Sequence, residues 1–349
     1  MQLYPLKLKP VYKDYVWGGD RIVRKFNRDV PPGIYAESWE LSARPEGMSL
    51  VENGSLKGED IESLLRSFGE SLLGSELEAD SFPLLVKLIG AEQDLSLQVH
   101  PHDVNARRTG AEAKTEMWHV LDADPGAELI VGLKPGFERE DFSRALASGK
   151  VEPMLNRIAV KPGDTIYMPG GRVHAICAGT LILEVQQNSN TTYRLHDWGR
   201  VGNDGKPREL HIEQGLDAVC MYDNDPVLID PKLLERDGEN EIWRLADTPY
   251  FVVDRLMLAE KMESRTKPER FSVIFCAEGS IEISGGGEVV SAESGTTTLL
   301  PSAMGDYTIE PVEGKAAAIR IAPEIHTELY NLLASVDKGE LCSRLNCFG

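Results

Sequence analysis

A chain of 349 residues, 42% hydrophobic and 27% charged, is long enough for two domains with sizeable cores and is neither disordered nor fibrous in composition. Its formal net charge of −19 excludes general binding to nucleic acid or to an anionic membrane, so an anionic ligand has to find a local basic pocket. The N-terminal MQLYPLKLKPVYKDYVWGG lacks a signal peptide's apolar core, and no run of about 18 apolar residues follows anywhere, which predicts a cytoplasmic protein with no membrane contact.

In chain order, the first apolar run bounded by turn residues is WELSA (39–43), followed by a helical pattern in GEDIESLLRSFGESLLG (58–74). FPLLVKLIG (82–90) reads as a strand, DVNARRTGAE as a helix, WHVLDAD and AELIVGL as strands, and REDFSRALASG as a helix. TIYMPGG and TLILEVQQ are further strands, and HIEQGLDAVCMY (211–222) a further helix. Short, evenly spaced strands predict a sandwich or barrel, and the helices are inserts that decorate it.

The polar, proline-containing DNDPVLIDPKLLERDGENE reads as a connection, so a boundary between about 222 and 245 gives domains over 1–222 and 245–349. Beyond it come YFVVDRLML, FSVIFCAEGSIEISG, EVVSAESGTTTLLPS and AAAIRIAP. VKPGDTIYMPGG and SAESGTTTLLPS share one cadence of polar-glycine turn, strand and proline, which predicts a second double-sheet roll. No histidine occurs between His211 and His326, so metal chemistry belongs to the first block. The five cysteines (Cys177, Cys220, Cys276, Cys342, Cys347) form no C-x-x-C pair, and their odd count fits reduced thiols better than a disulfide framework.

Within the first block, SLQVHPHD (96–103) places Gln98 and His100 two residues apart and so on one face of a strand. Glu116 in AKTEMWHV and His174 after the turn PGGRV complete a set of mixed N and O donors suited to zinc with positions left open for substrate. The same residues could each be a satisfied polar group in a turn, and the spacing leaves both readings open.

The strings WGG (17–19), AESWELSARPEGMSLVENG (36–54), FPLLVKLIGAEQDLSLQVHPHD (82–103), KTEMWHVL (114–121), YMPGGRVHAICAG (167–179) and LEVQQNSNTTYRLHDWGR (183–200) resemble, in order, those of the type I phosphomannose isomerases of the cupin superfamily. The absence of a long helical insertion resembles the shorter bacterial form. The resemblance implies a mainly β fold of two cupin-type β-rolls (double-stranded jelly rolls) with short helical inserts. It implies one Zn2+ per chain on Gln98, His100, Glu116 and His174, and an aldose–ketose isomerase that interconverts mannose 6-phosphate and fructose 6-phosphate. Three positions depart from the pattern: Met117, His119 and Cys177. His119, three beyond Glu116 on a strand, is expected to face away from the metal.

Isomerisation moves a proton between C1 and C2 of the opened sugar through an enediol, and needs an electrophile, a base and a grip on the phosphate. Lys114, two before Glu116 on the same face, and Glu184 in TLILEVQQ are the candidate bases, with Lys114 preferred and Glu184 as orienting group or partner base. The resemblance places Arg194 at the rim of the site and gives Ser96, Lys87 and Arg200 to the phosphate. An unpaired lysine inside LLVKLIG would be costly, which argues for a partner at Lys87. Trp17, Trp39, Trp118 and Trp198 are read as core, His102 and Asp103 as a turn and helix cap, and Asp197 as orienting Arg194 or His196. The implied partner is a small-molecule sugar phosphate, and the chain a monomer or homodimer. A metal-dependent dioxygenase of the cupin type, or a non-catalytic sugar-phosphate-binding cupin, are the alternatives.

Overall fold

The computed structural model describes residues 2–78, 81–202, 205–221, 223 and 227–324; Cys342, Cys347 and His326 lie outside them. The chain forms two compact units that interleave along the sequence. One takes Ser38–Lys87, the first strand and the described residues from Asp230 onward; the other takes Tyr12–Glu37 and Leu88–Ile229. The segment 38–87, read from sequence as part of the first block, thus falls with the C-terminal strands. Within that unit Leu6–Lys9 pairs antiparallel with Thr297–Leu300, Leu6 opposite Leu299, and so completes the C-terminal sheet.

The C-terminal roll is an eight-stranded sheet facing a four-stranded one. Leu256, Ile274 and Leu300 from the first meet Ile281, Ile283, Tyr307 and Ile309 from the second in one core. Part of the segment read as a connection is strand here: Lys232–Asp237 pairs with Asn240–Asp247, Asp237 opposite Asn240. The first of these two strands is exposed along its whole length, so its sequence carries no alternation of buried and exposed positions to reveal it.

The other unit carries the candidate metal ligands. Its strands, in chain order, are β1 (Leu97–Val99), β2 (Glu116–Ala123), β3 (Glu128–Leu133), β4 (Leu155–Ala159), β5 (Thr165–Met168), β6 (His174–Ile176), β7 (Thr180–Gln187) and β8 (Tyr193–His196). One sheet has the order β4-β3-β6-β1-β8; within this unit the other runs β5-β2-β7. All their pairings are antiparallel.

Alternation sorts the side chains between two cores. Leu97, Val99, Ile130, Ala175 and Leu195 pack with Phe142 and Leu146 of the helix α1 (Arg139–Ser148) and with Ala218 of α2 (Ile212–Ala218). The opposite faces put Leu129, Val131 and Ile176 against Trp118, Val120, Ile166, Met168 and Ile182, between the sheets. Along β2 this inner face runs Val120, Trp118, Glu116, and along its neighbour β7 it runs Ile182, Glu184, Gln186, each opposite its counterpart. The interior therefore changes from apolar to polar along the strands.

The predicted helices are present but shorter. Gly69, at φ 45°, divides the pattern over 58–74 into Ile61–Phe68 and Glu70–Leu73. His102 caps the helix Asp103–Thr109, its Nδ1 accepting from the Asn105 N–H at 3.2 Å. Cys177 and Cys276 are free, and burial pushes both thiols up to about 12; Cys220 is disulfide-bonded and departs from the expectation of reduced thiols.

The turn before β6 is glycine for lack of room. A Cβ on Gly170 would stand 2.7 Å from the His102 Cα and from the Pro101 carbonyl oxygen, while the Gly171 N–H donates to His100 O at 2.8 Å. Gly170→Ala forces apart the two segments that carry His100 and His174. We expect a loss of about 1–3 kcal/mol in stability, read by denaturant titration, together with weaker metal binding.

Candidate metal centre

Three ligand atoms converge where the inner face turns polar. His100 Nε2 lies 3.5 Å from Glu116 Oε2, His174 Nε2 lies 3.6 Å from Glu116 Oε1, and the two imidazole Nε2 atoms are 3.2 Å apart. All three side chains are buried, at 1% exposure or less. Among the described residues they form the group of histidine and carboxylate ligands able to hold a metal ion. Gln98 is paired with His174 across β1 and β6, and so stands beside that residue on the same face.

The ring tautomers are fixed from behind. His100 Nδ1 donates to the Thr191 carbonyl at 2.9 Å and His174 Nδ1 to the Arg172 carbonyl at 2.8 Å. A carbonyl oxygen only accepts, so both protons sit on Nδ1 and both Nε2 lone pairs face inward. Burial pushes His174 down to about 3, leaving its ring neutral near pH 7. Two inward lone pairs and a carboxylate within 3.6 Å repel one another unless a positive charge sits among them. Lys114 provides one, its Nζ 2.9 Å from Glu116 Oε2 and 3.1 Å from His100 Nε2. The donor set and its second-layer carbonyls fit a divalent zinc ion, which His100, Glu116 and His174 would hold.

His119 faces away, as expected, and its Nδ1 meets Thr165 Oγ1 at 2.9 Å. Glu184 is buried; its Oε1 accepts from Trp118 Nε1 at 3.1 Å, and the Trp118 indole in turn packs edge-on to the His174 ring at 5.3 Å. Trp118 is therefore a link between Glu184 and a metal ligand as well as part of the core.

Arg194 pairs with Gln98 across β8 and β1 and donates from Nη1 to the Glu209 carbonyl at 2.8 Å. Burial, and then the repulsion of Arg208, lower its guanidinium from the ordinary arginine range. Arg200 donates to the Asp94 carbonyl and, at 2.7 Å, to Asp197 Oδ1. Asp197 also receives Arg208, whose Nε donates to Oδ2 at 2.8 Å. Burial alone would raise the Asp197 carboxyl; hydrogen bonds from Arg208 and Arg200 more than offset it and hold the group below the usual carboxylate range. Asp197 thus orients Arg200 and Arg208, where sequence pointed to Arg194 or His196. Ser96 is buried immediately before β1. Lys87 is buried in the other unit, its Nζ 5.5 Å from the Trp39 ring centroid, which supplies the partner its burial required.

Arg208 was not legible as a site residue. An isolated pairing of Val201 with Pro207 sets Arg200 and Arg208 side by side, and the available signal was the placement of two basic residues on either side of the glycine-rich VGNDGKP.

A two-sheet β-roll with a buried His-Glu-His centre and a nearby arginine cluster is the frame of a metal-dependent enzyme acting on an anionic substrate. The model of the phosphomannose isomerase type I catalytic domain matches residues 5–134, and that of the mannose-6-phosphate isomerase cupin domain matches residues 241–323. The mannose-6-phosphate isomerase ManA of Bacillus subtilis (strain 168) is 35% identical over 314 residues, covering 89% of this chain and 97% of that one. A crystal structure of the mannose 6-phosphate isomerase from Bacillus subtilis superposes with a TM-score of 0.83 at 34% identity, over 91% of this chain and 99% of that one. A zinc-bound mannose 6-phosphate isomerase shares the fold at a TM-score of 0.72 and 16% identity, over 92% of this chain and 100% of that one. The chain belongs to the type I phosphomannose isomerase family and has the cupin fold.

Asp197→Asn leaves Arg194, Arg200 and Arg208 without their shared counter-charge. We expect a loss of roughly 1–3 kcal/mol, larger at low ionic strength, that added inorganic phosphate partly restores in the variant's melting temperature. An unchanged melting temperature would contradict the bracing role.

Proposed function

We propose that this chain is a zinc-dependent aldose–ketose isomerase that interconverts mannose 6-phosphate and fructose 6-phosphate. The observation that carries the proposal is the inward convergence of the His100 and His174 Nε2 atoms and the Glu116 carboxylate beside the Lys114 amine. Zinc held by His100, Glu116 and His174 would supply the electrophile that stabilises negative charge developing on the opened sugar. A neutral Gln98, in place of a second carboxylate, would leave more positive charge on the metal.

Lys114 is the proton carrier in this proposal. It is buried and stands against two of the atoms that would hold the metal, 2.9 Å from Glu116 Oε2 and 3.1 Å from His100 Nε2, where a proton on C1 or C2 of the bound sugar comes within its reach. Glu184 is the positioning group: its oxygen is held by the Trp118 indole, which packs against His174. Arg194, beside Gln98 on the inner face, orients the sugar and stabilises the enediolate. Ser96 and Arg200 hold the phosphate, and Arg208 joins them through Asp197. This local cluster gives an anion its place on a chain of net charge −19. No helix among the described residues is long and apolar enough to cross a membrane. We place the enzyme in the cytoplasm, where charged sugar phosphates are retained, as a monomer or homodimer.

The test is fructose 6-phosphate formation from mannose 6-phosphate by protein as purified, after chelation, and after zinc is added back. Activity is expected to disappear and return. Lys114→Met is expected to lower kcat by at least about 100-fold with zinc still bound, whereas Glu184→Gln lowers it less. Turnover that survives chelation, or an active Lys114→Met, would overturn the assignment.

A further inference from the structure

Gln186 lies on β7 directly opposite Glu116 on β2, so its side chain shares the inner face with that metal ligand. The residue is fully buried, at 0% exposure. Its amide orientation is fixed: Nε2 donates both protons, to the Gln187 carbonyl at 2.8 Å and to the Ser189 carbonyl at 2.7 Å. An oxygen in that place would face two other oxygens, so the amide cannot be reversed. Oε1 is therefore turned the other way, and among the described residues this buried acceptor has no hydrogen-bond partner. A buried amide oxygen left unpaired is destabilising, and a bound donor would remove that cost.

We propose that Gln186 Oε1 is a substrate-binding group that accepts a hydrogen bond from a hydroxyl on C3 or C4 of the sugar. The inference rests on the isomerase reading of the site. In that reading C1 and C2 lie at the metal ligands and the C6 phosphate at the arginines, so the hydroxyls left to be recognised are those between. Of the inner-face residues beside Glu116, Gln186 presents an acceptor fixed by its own backbone contacts. A neutral acceptor suits a hydroxyl, which donates, and offers nothing to phosphate.

The amide also ties down the loop leading to Thr191, whose carbonyl orients His100, so loss of activity on mutation would not by itself separate binding from positioning. The experiment therefore compares wild type and Gln186→Met, both loaded with zinc, on mannose 6-phosphate, 3-deoxymannose 6-phosphate and 4-deoxymannose 6-phosphate. The expected result is a loss of about 10- to 100-fold in kcat/KM for the variant on mannose 6-phosphate, with zinc content unchanged. On one of the two deoxy sugars the variant and the wild type should then be equal. A penalty of the same size on all three sugars, or loss of zinc from the variant, would overturn the proposal and leave Gln186 as a brace for His100. Wild type inactive on mannose 6-phosphate would instead refute the isomerase reading itself. Should the variant fail to fold, a crystal structure of the wild type with fructose 6-phosphate decides: a sugar hydroxyl within about 3.2 Å of Gln186 Oε1 supports the proposal. A sugar lying beyond that reach refutes it.

Discussion

Two imidazole lone pairs and a carboxylate, held face to face inside a β-roll, repel one another, and the rest of the site is arranged around that repulsion. The backbone carbonyls of Thr191 and Arg172 fix the tautomers that aim both Nε2 atoms inward. Strand pairing does the rest: Gln98 beside His174, Gln186 beside Glu116, Arg194 beside Gln98. Such an arrangement is stable only around positive charge. The Lys114 amino group lies against this cluster, and a metal ion held there would supply the positive charge that the three ligands need.

The roll keeps these opposed groups in place because each ligand strand has a second, apolar face. Leu97 and Val99 anchor the strand of Gln98 against the helices, and Ala175 anchors that of His174. Trp118 and Val120 continue the strand of Glu116 into the core between the sheets. Charge is concentrated a second time at Asp197, where two guanidinium groups share one carboxylate. The acidity of the whole chain therefore says little about the polarity of its site.

Much of this was legible in the sequence, for physical reasons. Alternation in LQVH set Gln98 and His100 on one face, and the same rule turned His119 away toward Thr165. TLILEVQQ was read as a strand to the residue, because a run buried on both faces has sharp ends where burial stops. What stayed hidden was long-range or exposed. Residues 38–87 join the C-terminal unit through strand pairing that no local pattern encodes, and the edge strand Lys232–Asp237 is exposed along its length, with no alternation of buried and exposed positions, and so looks like a connection. Arg208 and the role of Asp197 depend on one isolated pairing, Val201 with Pro207. Gln186 gave no signal at all, since a glutamine at the end of a strand is ordinarily solvated and only the fold shows its oxygen buried.

The most direct test of the central claim is the zinc K-edge X-ray absorption spectrum of the zinc-loaded protein. The account predicts one zinc per chain with a shell of N and O scatterers at about 2.0–2.2 Å and the outer-shell scattering of two imidazoles, which His174→Ala reduces to one. A sulfur shell near about 2.3 Å, or a spectrum unchanged by His174→Ala, would contradict it, because the metal would then be held somewhere other than among His100, Glu116 and His174.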